Sequence, residues 1–219
     1  MHKWLLRVVL LLITAIAAST AHAQAGVTPV NPPQPVENDG KVEVLEIFSY
    51  GCMHCAELEP PFEVWSKKQK PDVKIKRIPT PVPIMGIDSS VLYYTLEALG
   101  QIDRLHPKIF KAIHQEKVVL GNPATLSKWL EKNGVDPKKY EAAQSSFSVV
   151  TKAGRARQIV TAYKIRSTPT LIVNGRNLVV EQKVGGIPAM LATVDQLIGE
   201  ARATVKAAPA PTITKSAVK

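Results

Sequence analysis

Cys52 and Cys55 are the only cysteines of this 219-residue chain, and only Met53 and His54 separate them. Three chemistries are open to such a pair: a small structural disulfide, half of a metal site, or a redox-active dithiol. As a staple the pair is poor. The chain-entropy model gives a four-residue loop about 2 kcal/mol, against about 4.7 kcal/mol for a loop of 100 residues. As a metal site it is short of donors. Structural zinc needs four ligands, and beyond the amino-terminal leader the chain has only His54, His106 and His114 to add. A disulfide closing so small a loop makes most sense if it is meant to open.

The flanking sequence places the pair. Residues 42–48, VEVLEIF, are rich in β-branched and aromatic residues and read as a strand. Ser49-Tyr50-Gly51 reads as a tight turn, and from Cys52 the sequence CAELEPPFEVWSKKQ, entered through Met53 and His54, reads as a helix. Glu57 and Glu59 suit its first turns, and Pro60 and Pro61 are expected to kink or interrupt it. Cys52 then sits at a helix N-terminus, where free N–H groups and the positive end of the dipole favour a thiolate. A protonated His54 would add to that. Cys55, one turn in, is more shielded. This geometry makes Cys52 the attacking and leaving sulfur and Cys55 its internal partner. Tyr50 and Met53 are candidates for an apolar rim around the pair.

Further along, VKIKRI (73–78) reads as a second strand, parallel to the first across the helical connection. Residues 170–173 and 178–180 flank Asn174-Gly175, a strong hairpin signal. A closing helix from about Pro188 carries Leu191, Val194, Leu197, Ile198 and Ala201 on one face. Between the two strand regions the sequence is mostly helical. Asp88 and Gly100 bracket one helix, Asn122 and Gly134 another, and Asp136-Pro137 opens a third. Pro107 is expected in the first turn of a helix beginning near His106, and a long helix is expected from about Ser148 to Lys164.

The ends of the chain speak to its compartment. Lys3 and Arg7, the apolar run Val8 to Ala18 and Ala21-His22-Ala23 have the pattern of a cleaved signal peptide over residues 1–23. The run is too short for the roughly 20 residues that span a bilayer. This predicts export to a bacterial periplasm, where disulfides form and persist. Cleavage after Ala23 removes Lys3 and Arg7 and lowers the formal charge from +10 to +8. The basic residues are scattered, without an aromatic-interleaved stripe, which argues against nucleic-acid binding. Residues 24–39, with Pro29, Pro32, Pro33 and Pro35, read as an extended lead-in, and 207–219 as a disordered tail.

A C-x-x-C at a strand-to-helix turn, followed by Thr168-Pro169 before a β-hairpin, resembles the thioredoxin fold. Cys55 and Pro169 are 114 positions apart, and helices filling that interval resemble the DsbA family. GKVEVLEIFSYGCMHC, LEALGQIDRLHPKIFKAIHQE and TPTLIVNGR carry the resemblance, which extends over residues 40 to 203 or so. It implies an α/β thioredoxin fold with an inserted α-helical domain: residues 40–83 and 158–206 would form the thioredoxin fold and 84–157 the insert. It also implies a cis bond before Pro169, packed beside the cysteines, and a buried Glu46 that moves protons during exchange. His54 matches the histidine of the C-P-H-C motif of that family. Met53 departs from its usual proline, and Thr168 is shared with disulfide isomerases, so both bear on redox strength.

The activity implied is thiol–disulfide exchange with newly exported cysteine-containing proteins. Reoxidation by a DsbB-type quinone-linked membrane protein follows, with no bound cofactor or metal and a monomeric chain. The alternatives are a thioredoxin-fold isomerase or reductase kept reduced in the periplasm, and a binding module with an inert disulfide.

Overall fold

The structure is a computed structural model that describes residues 26–37 and 39–207. The expected signal peptide (1–23), the start of the lead-in and the tail from residue 208 lie outside the described residues. Five strands form one mixed sheet: β1 Val27–Pro29, β2 Val42–Phe48, β3 Val73–Pro79, β4 Thr170–Val173 and β5 Asn177–Val180, in the order β1-β5-β4-β2-β3. β2 pairs with β3 in parallel, and the other neighbours are antiparallel. The central strand β2 is buried along its whole length, so Glu43 and Glu46 lie in the interior with its five apolar residues.

Eight helices are present among the described residues: α1 Met53–Lys67, α2 Ser89–Ala98, α3 Ile102–His114, α4 Pro123–Lys132, α5 Pro137–Gln144, α6 Phe147–Ala162, the short α7 Glu181–Val184, and α8 Ile187–Ala207. Helices α1 and α8 cover one face of the sheet, where Leu58, Phe62 and Trp65 meet Val42, Val44, Met190, Val194, Leu197 and Ile198. On the other face α2 and α6 pack against Leu45, Ile47, Ile78 and Ile172. Helices α2 to α5 bury a third cluster that reaches Phe48, Tyr50 and Cys55 at the end of β2.

The structure differs from the expectations at three points. Helix α1 runs without interruption through Pro60 and Pro61. Each proline costs roughly 3 kcal/mol in a helix interior. Beyond the two lie Phe62 and Trp65, and just before them Leu58, all buried on one face. Each contributes about 1.5–3 kcal/mol, a term of the same size. Pro107 lies inside α3, beyond its first turn, because the helix starts at Ile102. Ile102 and Leu105 are themselves buried, so the apolar face begins a turn ahead of the proline. The lead-in is extended, but Val27–Pro29 also pairs with β5 as an edge strand, and Gln34 N–H bonds Gly175 O at 2.9 Å.

The caps fall where the sequence placed them. Asp88 accepts from the N–H groups of Ser90 and Val91, Asn122 from Thr125 and Asp136 from Lys138. Gly100 and Gly134 follow their helices at positive φ, as the left-handed C-terminal turn requires. Asn174 and Gly175 both take positive φ in the hairpin turn. Asp88 is of particular interest because it starts the helix whose first residue, Ser89, reaches the cysteine-bearing turn. Asp88→Ala is expected to lower stability by about 1 kcal/mol, seen as a lower urea midpoint; an unchanged midpoint would show that the cap is dispensable.

Candidate active site

β2 delivers the chain to the cysteines and α1 carries them. Cys52 is the N-cap of α1, in extended conformation (φ −90, ψ 120). Gly51 before it lies against Ile84, where a Cβ would come within 2.5 Å of that side chain, so the turn admits only glycine there without a shift. Cys52 is partly exposed and Cys55 is buried, both as free thiols. The thiol of Cys52 donates to the carbonyl of Thr168 at 3.2 Å, and the Thr168–Pro169 peptide is cis.

The two sulfurs differ sharply in acidity. The Cys52 pKa is lowered to about 5, chiefly by a hydrogen bond from Cys55; partial burial opposes this, and the Thr168 side chain and the N–H groups of Cys55 and His54 reinforce it. The Cys55 thiol is pushed far up, by burial first and then by its bond and proximity to Cys52. At neutral pH the dithiol therefore holds one thiolate, on the sulfur that solvent can reach.

His54 acts on Cys52 here through its backbone N–H. Its half-exposed ring places Nδ1 3.2 Å from Glu181 and 3.4 Å from Glu57. Met53 is 47% exposed beside the pair. Tyr50, expected as a possible rim residue, is instead fully buried, because the turn directs it beneath the helical insert. Its ring lies 5.1 Å from Phe110 and 5.2 Å from Phe48.

Behind the cysteines lies a buried charge network. The parallel register puts Glu46 directly beside Arg77, and Arg77 Nε donates to Glu46 at 3.0 Å. The other end of the same guanidinium reaches Glu59 at 3.1 Å and Glu63 at 3.2 Å. His106 Nε2 lies 3.1 Å from Glu59, and His106 Nδ1 lies 2.7 Å from the Tyr50 hydroxyl. Burial lowers the His106 pKa, opposed by Glu59, and so favours neutral imidazole. Nε2–H then donates to Glu59, and Nδ1 accepts from Tyr50. Glu46 Oε1 has no partner among the described residues. Burial raises the Glu46 pKa to about 7; Arg77 opposes the rise, and the charges of Glu59 and Glu63 add to it.

The structure thus gathers Cys52, Met53, His54, Cys55, Thr168 and Pro169 at one end of the sheet, with Glu46 on the strand behind them. Sequence reasoning gave no site role to Arg77, Glu59, His106, His114 and Glu181, and took Tyr50 only as a candidate for the rim. Some carried a signal. Glu59 follows Cys55 by one turn on the buried face of α1, and His106 interrupts an apolar stripe with Leu105, Ile109 and Phe110. Glu181 carried none, since its approach to His54 depends on where α7 packs.

Comparison with known proteins agrees with the fold that carries this site. Residues 43–189 match the family model described as a DSBA-like thioredoxin domain. The thiol:disulfide interchange protein DsbA of Bordetella parapertussis is 40% identical over 201 residues, covering 88% of this chain and 96% of that protein. DsbA of Pseudomonas aeruginosa is 34% identical over 174 residues, covering 80% of this chain and 82% of that protein. Its crystal structure superposes with a TM-score of 0.76, at 32% identity, covering 83% of this chain and 95% of the other. Reduced DsbA1 of Neisseria meningitidis superposes with a TM-score of 0.71, at 30% identity, covering 87% and 100%.

Two measurements check the electrostatics. Titrating the thiolate absorbance of the reduced protein is expected to give one midpoint near 5, from Cys52; a midpoint near an ordinary thiol's 9 would refute the asymmetry. For Glu46, a raised folded pKa means stability is fully present below the unfolded value and is lost as pH rises through the folded one. Glu46→Gln is therefore expected to be the more stable protein at neutral pH, since Arg77 keeps Glu59 and Glu63 as partners. Its advantage should open near pH 4.5 and level off near 7, amounting to a few kcal/mol at most, at about 1.4 kcal/mol per pH unit. Denaturant melts of both proteins across that range measure it, and a pH-independent difference would count against a raised Glu46.

Proposed function

Because the chain belongs to the family of DsbA-like thioredoxin domains, it is a thiol:disulfide oxidoreductase, and we propose that it donates its Cys52–Cys55 disulfide to newly exported proteins in a bacterial periplasm. The observation that carries this reading is the unequal pair: an accessible sulfur stable as a thiolate beside a buried one stable as a thiol.

The steps follow from that inequality. In the oxidised protein a client thiolate attacks Cys52 Sγ, the more accessible sulfur. The Cys52–Cys55 bond breaks, its electron pair goes to Cys55, and a client–Cys52 mixed disulfide forms. Cys55 takes up a proton, since burial disfavours its charge. A second client thiolate attacks the client sulfur of the mixed disulfide, and Cys52 departs as a thiolate. The client gains one disulfide and the protein is reduced by two electrons. A low pKa makes Cys52 a good leaving group and stabilises the reduced form, which sets the direction of transfer.

The remaining residues take supporting roles. Glu46, with a raised pKa and an unpartnered oxygen, supplies and recovers the proton of the exchange. Thr168 lines the sulfur and tunes its acidity, Pro169 shapes the loop that presents it, and His54 adds an N–H to the thiolate. Met53 offers an apolar contact to clients. The protein acts as a monomer, and a DsbB-type quinone-linked membrane protein restores its disulfide.

Equilibration with glutathione, together with thermal melts of both redox forms, tests the direction. A strongly oxidising pair whose reduced form melts higher is expected. A reducing pair whose oxidised form melts higher would overturn the donor reading in favour of an isomerase or reductase.

A further inference from the structure

The turn Ser49-Tyr50-Gly51 joins the last paired residue of β2 to Cys52, and its polar groups look to the helical insert for partners. Tyr50 N–H donates to Ser89 Oγ at 2.8 Å, at the start of α2. Tyr50 C=O accepts from His114 Nε2 at 2.8 Å, at the end of α3. The Tyr50 hydroxyl meets His106 Nδ1 at 2.7 Å, two turns earlier on the same helix. Tyr50 is thus held at both ends of its backbone and at the tip of its side chain. The turn closes on itself as well, through Cys52 N–H to Ser49 O at 3.1 Å. His106 is fixed in turn by Glu59, and His114 lies against Phe110.

We infer that His106 and His114 are positioning residues of the exchange reaction: through Tyr50 they hold the turn that sets Cys52 at the start of α1. The insert thereby takes part in the chemistry without touching the sulfur. Hydrogen bonds weaken steeply with misalignment. The bond from Cys55, the Thr168 contact and the N–H groups of Cys55 and His54 all depend on where the turn leaves the Cys52 sulfur. The charged and titratable groups facing that end of α1 are Cys55, His54, Glu57 on the same helix, and Glu181 on α7. Cys55 meets the turn at the backbone of Ser49, but among the described residues none of the four holds Tyr50. That task falls to the insert, and both histidines present the nitrogen it requires.

The inference rests on the exchange activity proposed above, and the test separates the two. In the full-length protein His114→Ala is expected to raise the Cys52 thiolate midpoint by about one pH unit and to shift the glutathione equilibrium about tenfold toward a weaker oxidant. His114→Gln, whose Nε2 amide reaches the same carbonyl, is expected to restore both to within about threefold, or half a pH unit. Tyr50→Phe keeps the ring and removes the hydroxyl, and is expected to shift both in the same direction as His114→Ala. A folded His114→Ala protein with parental midpoint and equilibrium overturns the inference, as does His114→Gln failing to restore them. Should His114→Ala not fold, Tyr50→Phe decides: a shift supports the clamp, and parental values overturn it. A reducing parent overturns only the donor reading, because the clamp is read from the change between parent and variant.

Discussion

The constraint on which the rest of the structure depends is the difference in environment between two sulfurs three residues apart. Cys52 at the cap position meets donors and solvent, while Cys55, one turn in, faces the apolar cluster of the helical insert. Neither condition alone would produce an exchange site. A pair of exposed thiols would titrate alike, and a pair of buried ones would be unreachable. The helix start supplies the first condition, and the insert closing over the end of β2 supplies the second. The cis peptide of Thr168–Pro169 brings a second loop to the same sulfur from the far end of the chain.

A buried set of charges behind this pair is costly. Arg77, Glu46 and Glu59 would be replaceable by apolar residues with little loss of stability, since the desolvation of buried ions cancels most of their attraction. The proton role proposed for Glu46 draws on proton affinity instead. One guanidinium shared by Glu46, Glu59 and Glu63 leaves Glu46 underpaired, and an underpaired buried carboxyl holds a proton near neutral pH. His106 joins this set to Tyr50, so the charges and the cysteine-bearing turn share one hydrogen-bonded framework.

How much of this was legible in the sequence depended on whether the signal was local. The two cysteines, the strand before them, the caps at Asp88, Asn122 and Asp136, and the Asn174-Gly175 turn were readable because each rests on a few adjacent residues with one backbone preference. The uninterrupted path of α1 through Pro60 and Pro61 was not, because propensity there competes with burial of Leu58, Phe62 and Trp65 against a helix more than 120 residues away in sequence. The early start of α3 and the pairing of Val27–Pro29 with β5 were hidden for the same reason.

The sequence by itself determined the identity of the reacting atoms, their spacing and the strand-to-helix turn that presents them, since these follow from covalent order and local dihedral preference. Only the tertiary structure decided which groups meet the Glu46 carboxyl and how the turn is held. Arg77 faces Glu46 through strand register. Tyr50 turns inward because Ser89, His106 and His114 arrive from the insert to satisfy its polar atoms. Contacts between residues so far apart in sequence are set by packing the whole core at once, which no local stretch of the chain encodes.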